Sequence, residues 1–558
     1  MKKSIFIVLI IVLLGSVVPV ALAQNRIGPA AGNLPIQETS LFAGSGVCAR
    51  CHEGLFENNV DVSPVTLWRS TMMANAAKDP LWRAKVSSEV EEFPDLQAAI
   101  EEKCIKCHSP VLYKQSTFDS LPDLPSYSIA DLAGDPLARD GDTCTGCHQI
   151  LPDNFGDYLS FSGDFKIWRD PPAALRTIFG PYENPFANPM VNNANYTPEF
   201  AYPDSDCSIN DSEHCATCHN LFTNYVLKDG SLSTDKFPEQ TPYYEWVNSI
   251  YANPVTPNAE PTTCQGCHMP QTETPIRISN IGRTETRTPF WYHHFVGGNR
   301  LMATVLKDNI DQLGVTATAA HFETTLANTT DLLKEDTIEL SLAVVEIVDG
   351  STLKVDVTLT NLAGHKLPTG IPLRRVWIHL TVTGSSGKIF ESGAWDAITG
   401  EIKGLDRDYE PHYDTITHKN QVQTYEGIMM DDWENVTRLL LRARDFVKDN
   451  RIPPKGFTTG HPSYEYTEII GAAADDPDFS VGGSGADTVH YQIPISGSGG
   501  NITVAVEVCY QTVTPGEVAH LTPYDTAETR LFNDLYTAAD KAPVILKEVQ
   551  KIITIPGN

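Results

Sequence analysis

Ten of the twelve cysteines fall into five copies of one pentapeptide, Cys-x-x-Cys-His. They are Cys48-Ala49-Arg50-Cys51-His52, Cys104-Ile105-Lys106-Cys107-His108, Cys144-Thr145-Gly146-Cys147-His148, Cys215-Ala216-Thr217-Cys218-His219 and Cys264-Gln265-Gly266-Cys267-His268. With 12 Cys and 16 His placed at random, fewer than about 0.01 such pentapeptides would occur. Two thiols separated by two residues on one helical turn can each add to a vinyl group on the same porphyrin edge, and the His that follows is then held under the iron. The ten motif cysteines therefore predict five covalent haems c, with His52, His108, His148, His219 and His268 as proximal ligands. Structural zinc is the competing chemistry for paired Cys-x-x-Cys knuckles, but zinc does not need His in the fifth place five times.

The sixth ligand of each iron decides what such a centre can do. A haem with two strong axial ligands passes electrons, whereas one with an open position can bind and transform a small molecule. Outside the motifs, the chain before residue 330 offers only His214, His293, His294 and His321, one fewer than five haems require. His214 abuts Cys215 and would have to serve a neighbouring haem; otherwise it is a solvated loop residue. His293 and His294 sit among Trp291, Tyr292 and Phe295 just before Gly297-Gly298, where a loop could approach a porphyrin closely. Adjacent residues must diverge to reach two irons. His365, between Gly364 and Pro368, could project from the C-terminal half onto a haem. His321 lies in an amphipathic stretch and reads as a surface or core residue. Met72 is a candidate thioether ligand that would raise the potential of its haem, although Trp68 and Met72 share a helix face at i, i+4, which ordinarily means packing. The His at 379, 412, 418, 461, 490 and 520 read as ordinary residues of the C-terminal half.

All five motifs precede residue 270, at irregular intervals that define no repeat. The spacing divides the chain into an N-terminal linker at 24–39, a pentahaem cytochrome c domain at 40–335 and a β-rich domain at 336–558. In the first part, Pro, Asn, Asp and Gly are dense and apolar periodicity is short. Helices are expected near Leu67–Glu92, Leu96–Cys107 and Ala317–Leu333. In the second part the period becomes two: Leu353, Val355, Val357 and Leu359 alternate with polar residues, as do Val376, Ile378, Leu380 and Val382, and Ile502, Val504, Val506 and Val508. Turn signals between these runs suit an antiparallel sandwich. The fold class is therefore α+β, an irregular, helix-containing multihaem domain followed by an antiparallel β-sandwich-like domain. Asn435–Lys448 is compatible with either helix or strand. Cys207 and Cys509 are left over, and could form a bridge between the two parts.

Length and composition bound the function. A chain of 558 residues has room for two to four domains, and 41% hydrophobic with 20% charged residues describes a globule. The net charge of −29 removes the cationic surface that nucleic-acid binding needs and disfavours anionic lipid. Met1–Ala23 reads as an export signal, with Lys2 and Lys3, an apolar run from Ile5 to Val20, and Ala21-Leu22-Ala23 as a small-x-small cleavage site. The alternative is that the run stays in place as a membrane anchor. Export places the mature chain in the periplasm or at the cell exterior.

The ordered segments Trp68-Arg69-Ser70-Thr71-Met72-Met73-Ala74 with Asp79-Pro80, the second haem motif with Ser109-Pro110, Cys147-His148-Gln149-Ile150, and Tyr292-His293-His294-Phe295-Val296-Gly297-Gly298-Asn299 resemble the haem core of multihaem cytochromes c. That core is related to the tetrahaem electron carrier of hydroxylamine oxidation. Gly364-His365-Lys366-Leu367-Pro368-Thr369-Gly370, Lys448-Asp449-Asn450-Arg451 and Gly485-Ala486-Asp487 resemble the β-rich domain often appended to it. The resemblance covers most of the mature chain and implies electron transfer without fixing one reaction. Pentahaem nitrite reductases have similar length, but their catalytic Cys-x-x-Cys-Lys is absent and strands replace their helical C-terminal half.

Three functions follow as expectations. The first is an exported electron-transfer protein whose acidic exterior steers redox partners with basic docking patches. The second is an oxidoreductase acting on a small nitrogen or sulfur compound at an open haem. The third is an extracellular cytochrome filament, a homopolymer in which one subunit completes a haem of the next. No constellation supports a hydrolase or a transferase.

Overall fold

The computed structural model describes residues 33–120, 128–168, 176–200, 202, 207–254, 261–281, 285–405, 409–495 and 499–555. The stretch read as an export signal lies outside the described residues, as do positions 24–32 of the linker. Helix and strand are both present and largely segregated along the chain, giving an α+β protein. Up to residue 335, short helices alternate with two-stranded ribbons; beyond it, long strands dominate.

Caps vary among the helices: the Thr318 hydroxyl accepts from the His321 N–H at the start of Ala319–Glu335, whereas Gln97–His108 begins without a side-chain cap. Gln97–His108 and Ala319–Glu335 agree with expectation. The single helix expected from Leu67 to Glu92 does not form: the chain makes a helix at Pro64–Trp68, a 3-10 turn at Ala76–Lys78 and a second helix at Pro80–Glu92. Pro80 sets the restart. It lacks an N–H and is tolerated only in the first turn, so the helix restarts there, with the Asp79 carboxylate accepting from the Leu81 N–H at 2.9 Å.

The C-terminal strands build two sheets. One has the order Thr415–Ile416, Ala486–Pro494, Thr352–Asn361, Ile338–Val348; the other runs Gly387–Ser392, Arg375–Gly384, Gly500–Gln511, Val544–Ile555, with Thr424–Tyr425 also paired to Arg375–Gly384. Pairings are antiparallel except that Thr415–Ile416 runs parallel to Ala486–Pro494. The alternation read from the sequence is the burial pattern observed: Leu353, Val355, Val357 and Leu359 from one sheet and Val376, Ile378, Leu380 and Val382 from the other are all fully buried, within one apolar cluster. Each such side chain contributes about 1.5–3 kcal/mol by leaving water. Asn435–Lys448 is neither a helix nor a single strand; it holds a 3-10 turn at Leu440–Arg442 and enters the strand Asp445–Asp449. The two turn N–H groups of Leu440 and Leu441 donate to the Glu89 carboxylate, a tertiary contact that local sequence does not encode.

A second apolar cluster crosses residue 335. Leu81, Ala84, Met302, Leu306 and Phe322 pack with Leu373, Leu521, Phe532 and Leu535. The helices Pro515–Leu521 and Ala527–Ala538 thus rest on the N-terminal part. Cys207 and Cys509 are not joined: Cys207 packs beside Leu151, Phe179 and Tyr202, and Cys509 lies with Trp377, Ile402 and Val422. The bridge considered from sequence is absent.

Candidate functional site

Each Cys-x-x-Cys-His motif closes a helix. The helices are Ser45–His52, Gln97–His108, Cys144–Cys147 with His148 as its C-cap, Ser212–His219 and Cys264–His268. Residues three apart on a helix share a face, so both thiols of each motif project to the same side. No cysteine pair within a motif is oxidised.

Four of the five motif histidines are oriented by a backbone carbonyl. The Nδ1–H of His52 donates to the Ile278 carbonyl at 2.7 Å, that of His148 to Phe179 at 2.7 Å, that of His268 to Val296 at 2.6 Å, and that of His108 to Ala76 at 3.3 Å. Such a bond fixes the tautomer and the ring orientation and leaves the Nε2 lone pair bare. Among the described residues, His219 has no such carbonyl partner. Burial pushes the rings toward the neutral form, to about 4 for His108 and for His219. Neutral imidazole is the form that binds iron.

Two of the expected distal residues lie across from a motif histidine. His293 is centred 6.4 Å from His148 with ring planes 15° apart, and His365 is centred 6.3 Å from His268 with planes 13° apart. Two imidazoles bound to one ion through bonds of about 2.0–2.1 Å have centroids roughly 6 Å apart, so both pairs fit an iron with two histidine ligands. The distal rings are also oriented through Nδ1, His293 by the Trp291 carbonyl at 3.0 Å and His365 by the Lys366 carbonyl at 3.1 Å. Burial, then the neighbouring His148, drives His293 down to about 3.

The other candidates are placed differently. His214 is buried edge-on to Phe155, with Tyr202 Oη 3.2 Å from its Nδ1, and burial, then the neighbouring His148, drives it down to about 3. His294 stacks on Tyr292, ring centroids 4.9 Å apart. Met72 packs against the apolar cluster that holds Leu81 and Met302, but the helix ends at Trp68, so the two do not share the helix face expected from their spacing. His321 caps its own helix: its Nδ1 accepts from the Thr318 N–H at 3.1 Å, so the neutral ring carries its proton on Nε2. Trp82 stacks on His108 at 4.5 Å with planes 6° apart. Gly298 leaves room for Tyr510, whose hydroxyl donates to its carbonyl at 2.7 Å, tying the His293 loop to the strand Gly500–Gln511.

A buried ionic network fixes the loop that carries His365. Lys366 Nζ donates to Asp449 at 2.7 Å, and its backbone N–H donates to Glu245 at 3.0 Å. Arg451 clasps Asp449 with two bonds of 2.8 and 2.6 Å and reaches Glu245 at 3.2 Å. Thr369 Oγ1 adds a bond to Glu245 at 2.6 Å. Burial alone would raise the Asp449 carboxyl, but Arg451 and Lys366 outweigh it and hold the group at about 2. The segments Gly364–Gly370 and Lys448–Arg451 stood out in the sequence, yet Glu245, on the distant helix Pro242–Val247, carried no signal that would have linked it to them.

The motifs themselves are neighbours. The thiol of Cys48 lies against Cys144, Cys107 against Cys218, and Cys215 against Cys264. Cys147 Sγ donates to Asp142 at 3.2 Å, and the same carboxylate acts on Cys107, Cys215 and Cys218. The first motif thus adjoins the third, the second adjoins the fourth and the fourth adjoins the fifth, while Asp142, bonded to the third, acts through its charge on the second and fourth. Among the described residues, no helix is long and apolar enough to cross a membrane.

No family model and no curated protein matches the sequence. Among solved structures, the chain is similar to a penta-heme cytochrome c552 from Thermochromatium tepidum, with a TM-score of 0.50 and 17% identity over 93% of this chain and 100% of that one. The likeness is one of fold.

Proposed function

We propose that the chain is a multihaem c-type cytochrome that relays electrons between redox partners. The observation that carries the reading is the proximity of the five motifs, each of which has a thiol against a thiol of another motif. The penta-heme neighbour supports it. The ten motif cysteines would anchor five haems, His52, His108, His148, His219 and His268 would bind their irons on one side, and His293 and His365 would close the sixth positions of the third and fifth. When bound, haem iron supplies one-electron redox chemistry. The carbonyls of Ile278, Ala76, Phe179 and Val296 orient the motif imidazoles, and the buried network around Asp449 holds His365 in place.

On this reading, residues 40–335 form the haem domain and 336–558 a β-sandwich domain, whose two sheets share one core. Met1–Ala23 directs export to the periplasm or the cell exterior. The acidic exterior selects partners with basic patches, an attraction that salt weakens. A stopped-flow and potentiometric study of the purified holoprotein tests the relay. All five haems should equilibrate with one another faster than with added mediator; a haem that fills or empties in isolation contradicts it.

A second reading has its own observation. Only His148 and His268 have a near-parallel histidine opposite them among the described residues. An open position at the motif of His52, His108 or His219 would make the chain an oxidoreductase for a small nitrogen or sulfur compound. Spectra with carbon monoxide, cyanide, nitrite and hydroxylamine separate the two: a ligand-induced shift with turnover favours the enzyme, and unchanged low-spin spectra favour the carrier.

A further inference from the structure

A cavity of about 390 Å³ has none of the motif Cys or His in its wall. Its lining includes Pro35, Lys78, Pro136, Arg139, Gly314 and Thr316. Lys78 is only 4% exposed, and among the described residues its ammonium makes one hydrogen bond, a long 3.4 Å contact to the Ala74 carbonyl. Arg139 uses Nη2 to bond the Leu313 carbonyl at 2.7 Å. Its guanidinium fits only because residue 314 is glycine: a Cβ there would lie 2.5 Å from Nη2, and the backbone has φ +62°.

These two cations repel each other, and neither has a carboxylate in ion-pair contact among the described residues. The Asp140 carboxylate attracts Lys78 without an ion-pair contact, and its two oxygens accept from Ser45, at 2.8 Å from the backbone N–H and 3.0 Å from the hydroxyl. A buried ammonium costs free energy unless a counter-charge meets it. We propose that this cavity binds a small inorganic oxyanion of one or two negative charges, held between the Lys78 ammonium and the Arg139 guanidinium. Guanidinium offers paired N–H donors to two oxygens, and ammonium offers a point charge. The volume leaves space for the anion to keep some of its waters, each of which occupies about 30 Å³.

Isothermal titration of the purified holoprotein with sodium sulfate and with sodium phosphate, at low ionic strength and with chloride as control, tests this. One of the two should bind at one site per chain, and the affinity should fall about tenfold or more in Arg139→Gln and in Lys78→Met. Added salt should weaken it in the wild type. Both variants are compared by far-ultraviolet circular dichroism and haem absorption, so that loss of fold is distinguished from loss of binding; Arg139, which is only partly buried, provides the substitution that disturbs packing less. No binding of either anion, or equal binding by the wild type and a folded Arg139→Gln variant, overturns the proposal.

Discussion

The rings of His268 and His365 lie 6.3 Å apart with planes inclined by 13°. One belongs to the last Cys-x-x-Cys-His helix, the other to the loop between the strands Thr352–Asn361 and Arg375–Gly384. The C-terminal part of the chain therefore places a ring opposite one from the N-terminal part, and on the proposed function the two parts would act as one electrochemical unit.

Replacing His365 isolates that role. His365→Ala should convert one haem of five to a high-spin form that binds carbon monoxide, and His365→Met should raise one potential by on the order of 0.1 V, within the roughly 0.8 V that axial ligands span. Electron paramagnetic resonance and spectropotentiometry read both effects. His321→Ala, which removes a helix cap, should leave all five potentials in place.

Asp449→Asn breaks the network beneath the same loop. Removing one partner of a buried ion pair costs about 3–5 kcal/mol, because Lys366 and Arg451 stay buried with Glu245 as their remaining acid. The melting temperature should drop, and the low-spin signal of the fifth haem should broaden. The pH dependence has a definite sign. Asp449 is held at about 2, below its ordinary 3.8, so its stabilisation is complete above about pH 4 and is lost as pH falls toward 2. The variant should lack that dependence.

Asp487 behaves in the opposite sense. Burial raises it to about 7 although Tyr425 Oη donates to it at 2.6 Å. The folded state therefore prefers the protonated carboxyl, and stability falls as pH rises from about 4 to 7. Asp487→Asn keeps the shape and removes the charge, so it should raise the melting temperature at pH 8 and change little at pH 4. A lower melting temperature at pH 8 would contradict the assignment.

Phe532 is 1% exposed and packs within the cluster that joins Leu81 and Leu306 to Leu521. Phe532→Ala should cost about 3–5 kcal/mol and open the contact between the C-terminal helices and the haem-bearing part. Limited proteolysis should then cut within Pro515–Ala538 at lower protease concentration, while haem absorption is retained.

What the sequence revealed was the local chemistry. The Cys-x-x-Cys-His motifs are complete within five residues, and the period-two runs at 353–359, 376–382 and 502–508 report directly on which face is buried. Proline punctuation was also present, yet periodicity alone carried a helix through Asp79-Pro80, where the missing N–H forces a restart. The pairing of His148 with His293 and of His268 with His365 depends on chain reversals far apart in sequence. Residue type could nominate His293 and His365 but not their partners. Glu245 shows the same limit, since a lone acid near Trp246 acquires meaning only when Lys366 and Arg451 arrive beside it.

The most direct test of the account is the mass of the denatured holoprotein, expressed in a host that attaches haem c, together with its pyridine haemochrome absorbance. The account predicts five covalently held haems per chain, and the loss of one haem for each motif whose two cysteines are replaced by alanine. A folded, colourless protein at polypeptide mass, or one carrying zinc or disulfides at these cysteines, would contradict it.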